Sequence, residues 1–274
     1  MHGLAGAAVN WSAIAPLLTQ RYRLLAPDLS GHGLTWSARR GSGVPANRIL
    51  LDGFLASVAT GPVILMGNSM GGMISLLEAA AAPKAVAGLI LIDPALPLAL
   101  ARPDPLLAGL LTAAAIPGLG ALVSRMNRRR AQPPEDAVAA ALALCCADPS
   151  RVAPEEVARH VYVARERAGI AGADRDALLA TRSVATTVFR RAGRSYRRAI
   201  GSVTCPVLLV HGDRDRLVPV AVARATARAH PAWSLTVLPG LGHVPMLEAP
   251  DQTAELVISW LESAGLGAAQ AARG

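Results

Sequence analysis

The run Val63-Ile64-Leu65-Met66-Gly67-Asn68-Ser69-Met70-Gly71 decides the fold. Its first four residues are apolar and begin with two β-branched side chains, the pattern of a short strand buried on both faces. Met73-Ile74-Ser75-Leu76-Leu77-Glu78-Ala79-Ala80 then reads as a helix stopped by Pro83. Between the two stands a G-x-S-x-G turn, Gly67 to Gly71. A serine in that position sits on a sharp strand-to-helix corner, its hydroxyl exposed and the next helix N-terminus aimed at it. Glycines flank it because neighbouring backbone has to pass without a Cβ in the way. A G-x-S-x-G on its own is also an ordinary Gly-rich turn, so its chemistry depends on partners elsewhere.

A serine hydroxyl is a poor nucleophile until a base takes its proton, and the base needs a third group to fix its tautomer. The last histidine, His243, lies in Gly240-Leu241-Gly242-His243-Val244-Pro245, after the strand-like Ser234-Leu235-Thr236-Val237-Leu238. Pro206-Val207-Leu208-Leu209-Val210-His211 is another buried-strand pattern, and it runs into Gly212-Asp213-Arg214-Asp215. Carboxylates therefore stand at a strand's C-terminal edge, and the order along the chain is Ser69, Asp215, His243.

On these residues the chain resembles the α/β-hydrolase fold superfamily. The resemblance covers the elbow, the acid loop Gly212–Pro219 and the histidine loop Gly242–Glu248. It also covers His2-Gly3-Leu4 with Asn10-Trp11, and Ala26-Pro27-Asp28-Leu29-Ser30-Gly31-His32-Gly33. It implies a nucleophile at Ser69, a general base at His243 and an orienting acid at Asp215. Asp213 competes locally, but the family spacing from Gly212 to Pro219 favours Asp215. Asp93, after the Leu89–Ile92 run, is a further alternative, since some relatives place the acid there. The same resemblance assigns the oxyanion hole to the backbone N–H groups of Met70 and Leu4. His2 reads as a turn anchor and His32 as a structural loop residue.

Length and composition bound the rest. A chain of 274 residues holds one large core, or a core with an inserted subdomain. At 52% hydrophobic residues it is globular rather than disordered. Met1 runs straight into His2-Gly3 with no basic segment and apolar run, so no signal peptide is expected. Leu106 to Val123 is the most apolar stretch, yet Pro117, Gly118 and Gly120 interrupt it. Crossing a bilayer takes about 20 apolar residues, so a lid helix pair is expected there rather than membrane insertion. Three cysteines, Cys145 and Cys146 adjacent, make a poor disulfide framework and suit a reducing cytoplasm.

The formal charge of +8 is concentrated: residues 97–200 hold 16 arginines against 9 acidic residues. Lys84 is the only lysine, a bias that fits GC-rich coding better than selection for phosphate contacts. Arg128-Arg129-Arg130 and Arg190-Arg191 with Arg197-Arg198 are the densest points. They read as solvated helical surface, with attraction of an anionic substrate or acidic partner as the alternative. Few aromatics and no nucleic-acid motif argue against nucleic-acid binding. Neither His211 nor His230 forms a credible metal set, and no Gly-rich phosphate loop is present, so neither metal nor cofactor is expected.

Strand-like runs at Arg23–Ala26, Val63–Met66, Leu89–Ile92, Val207–Val210 and Leu235–Leu238 alternate with helical segments. That is the α/β pattern of a doubly wound, mostly parallel sheet. Between Asp93-Pro94 and Cys205-Pro206 the alternation stops, and proline-punctuated helices take over. The expected organisation is a core of residues 1–94 and 201–274 with a helical cap at 95–200. By resemblance that cap covers the pocket. Relatives carry two or three strands before the His-Gly motif, whereas here the chain begins at Met1-His2-Gly3. Losing a central strand leaves unpaired backbone groups, each costing about 1–3 kcal/mol when buried. The expectation is that translation starts upstream or that this is a fragment.

The resemblance implies hydrolysis through an acyl-enzyme on a small or medium hydrophobic ester, thioester or lactone. The Gly-Asn-Ser-Met-Gly-Gly elbow also looks like that of carbon–carbon bond hydrolases of aromatic breakdown, but Val244 replaces the aromatic residue expected after the histidine. Acyl transfer and perhydrolysis use the same residues. A silent ligand-binding member of the fold is the alternative from another class.

Overall fold

The structure, a computed structural model, describes residues 1–38, 40–97, 109, 132–189 and 192–267. Four strands among them lie side by side in chain order and all run parallel: β1 (Val63–Asn68), β2 (Val86–Ile92), β3 (Val207–Gly212) and β4 (Ser234–Leu238). Leu65 lies opposite Leu89, Leu89 opposite Val207, and Leu209 opposite Leu235. β3 is buried along its whole length and β2 nearly so. Helices cover both faces of a parallel sheet, which is why these runs are continuously apolar.

Helices fill the connections. α1 (Ala15–Leu18) and α2 (Val44–Val58) precede β1, and α3 (Met70–Ala81) follows it. Between β2 and β3 the described residues form α4 (Pro134–Cys145), α5 (Pro154–Ala168), α6 (Ala173–Phe189) and α7 (Ala192–Gly201). α8 (Val220–Ala229) joins β3 to β4, and α9 (Pro245–Glu248) and α10 (Pro250–Ser263) close the chain. The start and end of α5 are written into its sequence. Pro154 opens it without wasting an N–H, Glu155 and Glu156 face the positive end of the helix dipole, and Arg165 and Arg167 the negative end.

Successive strand side chains point to opposite faces, so one sheet feeds two cores. Leu65, Leu89, Leu91 and Leu209 pack under α2 and α3 together with Val184 of α6 and Tyr196 of α7. Ile90, Ile92, Leu208 and Val210 pack on the other face with Leu142 of α4 and Val257 and Trp260 of α10. Full burial of one such side chain is worth about 1.5–3 kcal/mol.

Arg23–Ala26 departs from expectation: it is not part of the sheet. A strand needs a ladder partner, and the outer edge of β1 meets Met1 instead. The Met1 amino group donates to the Met66 carbonyl, and the Asn68 N–H donates to the Met1 carbonyl at 3.0 Å. Burial lowers the pKa of that amine to about 5. Alongside β1 runs a groove of about 590 Å³ lined by Leu24, Ala26, Phe54, Ile64 and Met66, so the apolar pattern of residues 23–26 serves as groove wall. Among the described residues β1 is the first strand of the sheet, paired to β2. Leu106–Val123, Arg128-Arg129-Arg130 and Arg190-Arg191 lie outside the described residues. Among the described residues no helix is long and apolar enough to cross a membrane.

Candidate active site

Ser69 stands between the last residue of β1 and the first of α3, with φ 53° and ψ −117°. An L-residue at positive φ is strained and persists only where its surroundings hold it. Here the Ser69 N–H donates to Ile92 O at 3.1 Å, and its carbonyl accepts from Met73 N at 3.1 Å and Ala95 N at 3.0 Å. The corner is so tight that a Cβ on Gly67 would lie 2.6 Å from Gly71 backbone, and one on Gly71 would lie 2.2 Å from the Met1 carbonyl. The sequence reading of those glycines as close-approach positions therefore holds. Ser69 itself is only half-buried.

The end of β3 positions the acid. Asp215 Oδ1 accepts the N–H groups of Leu217 at 2.7 Å and Val218 at 3.0 Å, which fixes its carboxylate plane. Its other oxygen, Oδ2, accepts from His243 Nδ1 at 2.7 Å. That bond assigns the His243 proton to Nδ1 and leaves Nε2 with a free lone pair. Burial alone would raise the Asp215 pKa, but the charge and hydrogen bond of His243 bring it below the ordinary carboxylate value. Asp213 points elsewhere and accepts from Gly240 N at 2.7 Å, tying the acid loop to the turn after β4.

The histidine loop is held from two sides. Asn68 Nδ2 donates to the His243 carbonyl at 2.9 Å and to Ile92 O at 3.1 Å, and two facing carbonyls assign that atom as the nitrogen. The His243 N–H donates to Cys145 O at the end of α4, at 2.6 Å. Glu248, buried, accepts from Gly242 N at 2.8 Å, Ala147 N at 3.2 Å and Asp148 N at 2.9 Å. One carboxylate thus joins the histidine loop to the segment after α4. Sequence reasoning quoted Asn68 and Glu248 but gave neither a role. The signal available was their fixed place in the elbow and in the Gly-His-x-Pro…Glu run.

His2-Gly3-Leu4 passes against the elbow, since a Cβ on Gly3 would lie 3.1 Å from Ser69 Cβ. His2 is the turn anchor expected: Nε2 accepts from Leu29 N at 3.0 Å, so Nδ1–H donates to Gly3 O at 2.8 Å. Burial lowers its pKa to about 3, which keeps the ring neutral. His32 donates locally, Nδ1 to Ser30 O at 3.0 Å, and its ring lies 5.6 Å from that of His2. Met70 opens α3, where the first N–H groups have no helical acceptor.

Behind Asp215 lie Asp93 and His211, both fully buried. These three are, among the described residues, the group of acid and imidazole side chains spaced closely enough to share an ion. Several of their polar atoms are committed to protein, while Asp93 Oδ2 and His211 Nδ1 are buried without a hydrogen-bond partner. Asp215 uses both oxygens, Asp93 Oδ1 accepts from Gly212 N at 2.9 Å, and His211 Nε2 donates to Val218 O at 2.8 Å. His230 stacks on Trp233 with ring centroids 4.8 Å apart.

The sequence profile of the alpha/beta hydrolase family matches residues 1–256. The chain belongs to the alpha/beta hydrolase family. A thermophilic esterase from Thermogutta terrifontis superposes with a TM-score of 0.70 at 24% identity, over 96% of this chain and 88% of that one, a likeness of fold. Lipase 1 of Psychrobacter immobilis is 28% identical over 262 residues, 93% of this chain and 73% of the lipase. The dihydrolipoyllysine-residue acetyltransferase component of the acetoin cleaving system of Pseudomonas putida is 28% identical over 261 residues, 95% of this chain. The chain spans 62% of the length of that relative. In this alpha/beta hydrolase Ser69, Asp215 and His243 follow one another in that order along the chain.

Proposed function

We propose that this protein is a serine hydrolase that cleaves a small or medium hydrophobic carboxylic ester, thioester or lactone through an acyl-enzyme. The observation that carries the reading is the 2.7 Å bond from His243 Nδ1 to Asp215 Oδ2, with the His243 backbone tied by Asn68 to the strained Ser69 elbow. In this reading Nε2 takes the proton from Ser69 Oγ as the oxygen attacks the substrate carbonyl, and then gives it to the leaving alkoxide or thiolate. Water enters by the same proton route, attacks the acyl-serine and releases the acid. Asp215 stays ionised throughout and stabilises the imidazolium formed in each step.

The backbone N–H groups of Met70 and Leu4 hold the oxyanion, each worth about 10²–10³ in rate. The position of Met70 at the start of α3 and the closeness of Gly3 to Ser69 support that assignment. Residues 95–200 act as a cap over the site, a reading supported by the direct hold of Cys145, Ala147 and Asp148 on the histidine loop and on Glu248. The likeness to Lipase 1 of Psychrobacter immobilis supports an ester substrate. Three cysteines, two of them adjacent, suit a reducing cytoplasm.

Intact mass after exposure to a fluorophosphonate tests this, run on the chain and on Ser69→Ala with a thermal melt of each. A single adduct on the wild type, absent from a mutant that melts normally, is expected. A folded wild type that takes no adduct overturns the reading and leaves a ligand-binding member of the fold.

A further inference from the structure

Asp93 is a buried acid that the hydrolytic cycle does not use. It follows β2 in the left-handed region, φ 44°, held there by its N–H to Val210 O at 2.9 Å. Its side chain is fully buried, and one of its oxygens lies within 4.8 Å of an oxygen of the Asp215 carboxylate. His211 Nε2 is 3.5 Å from an oxygen of each carboxyl. Oδ1 of Asp93 is occupied by Gly212 N, while Oδ2 is buried with no hydrogen-bond donor facing it.

Two buried carboxylates this close cannot both stay ionised without a cation between them. His211 does not supply one. Burial lowers its pKa, and its Nε2–H is already given to the Val218 carbonyl. His243 bonds to Asp215, and the Glu248 carboxylate that also acts on Asp93 has the wrong sign. Burial first, and then the Asp215 charge, push the Asp93 pKa far above the carboxylate range, with Gly212 N–H opposing. Asp215 moves the opposite way because it faces His243.

We propose that Asp93 is a positioning residue for the acid of the triad: it stands as a neutral carboxylic acid and donates a hydrogen bond to Asp215. This rests on the reading of Ser69, His243 and Asp215 as the catalytic unit. The donated bond spreads part of the Asp215 charge away from His243 and holds the carboxylate against rotation. The pair then carries one negative charge, matched to the one positive charge of the imidazolium.

The direct test is the carboxyl itself. In aspartate-carboxyl ¹³C NMR of the wild type, one aspartyl carboxyl keeps its protonated shift through neutral pH, and that signal is absent from Asp93→Asn. No protonated aspartyl carboxyl in the wild type at neutral pH overturns the proposal, whatever the activity.

The second test is the pH profile of ester hydrolysis. Asp93→Asn replaces the acid by a neutral donor of the same shape, so kcat stays within about threefold and the acid limb does not move. Asp93→Ala removes the donor and lowers kcat about tenfold, the worth of one hydrogen bond. Its acid limb shifts to higher pH, because the full Asp215 charge then faces His243. A limb displaced equally in both variants overturns the proposal, since it would mean that Asp93 acts as an ion. A wild type that takes no fluorophosphonate adduct sinks the hydrolase reading separately, while the carboxyl signal still decides the state of Asp93.

Discussion

Asn68 Nδ2 donates to the main-chain carbonyl of His243 at 2.9 Å, across 175 residues of sequence. The residue before the elbow serine therefore holds the backbone of the proposed base. A second bond from the same nitrogen, to Ile92 O at 3.1 Å, ties the elbow to the end of β2. Serine and imidazole are thus registered through backbone as well as through the chemistry they are assigned.

Asn68→Ala leaves the buried His243 carbonyl without its donor, while Ile92 O keeps the Ser69 N–H, at a cost of about 1–3 kcal/mol. The larger effect is on rate, because a small displacement of His243 relative to Ser69 costs about 10²-fold. Expected in steady-state kinetics is a fall in kcat of between about tenfold and a hundredfold, with KM little changed. An unchanged kcat in a variant with a lowered Tm would limit Asn68 to a stabilising role.

Glu248 gathers three N–H groups, from Gly242, Ala147 and Asp148. Glu248→Ala strands the buried Gly242 N–H and frees the two part-buried ones to water, and is expected to cost about 2 kcal/mol in urea unfolding. Glu248→Gln keeps one carbonyl oxygen, so it retains the pair of bonds made to Oε2 and loses the Asp148 bond, giving an intermediate loss. Because Gly242 precedes His243, kcat should fall in the same order as stability. Equal effects from Ala and Gln would show that charge, rather than hydrogen-bond count, is what the site needs.

The helices between β2 and β3 are also fastened to the loop that contains His32. Arg167 at the end of α5 donates through Nη1 to Gly33 O at 2.9 Å and through Nη2 to Gly31 O. A guanidinium fork reaches two carbonyls at once, whereas an ammonium is a point donor. Arg167→Met should therefore lower stability by about 2 kcal/mol and Arg167→Lys by about half as much. Limited proteolysis should cut Arg167→Met faster than wild type within residues 132–189.

Much of this was legible in the sequence, and what was not has a physical cause. β1, β2, β3 and β4 were readable because a strand covered on both faces must be apolar along its length. The elbow was readable because only glycine fits at positions 67 and 71. Arg23–Ala26 has the same apolar look, but strand formation depends on an available ladder edge, which a local pattern does not encode. The roles of Asn68 and Glu248 were hidden for a related reason. Each acts on backbone far away in sequence, and backbone acceptors leave no residue-type signature. Asp93 was legible as a carboxylate near the site. Its closeness to Asp215 follows from β2 and β3 lying side by side, which fixes the neighbours of residues just past their ends.

Asp93 should also mark the pH dependence of folding. Its folded pKa lies well above the unfolded value, chiefly because it is buried and then because Asp215 is charged. The folded state therefore binds a proton that the unfolded chain releases above about pH 4. The stability linked to this group is fully present below about pH 4 and declines as pH rises towards the folded pKa, by about 1.4 kcal/mol per pH unit. Asp93→Asn carries no such proton and escapes the decline. Thermal melts across pH should find the variant level with or below wild type in acid and more stable at neutral pH, the gap widening between. A Tm difference independent of pH would mean that Asp93 is ionised in the fold.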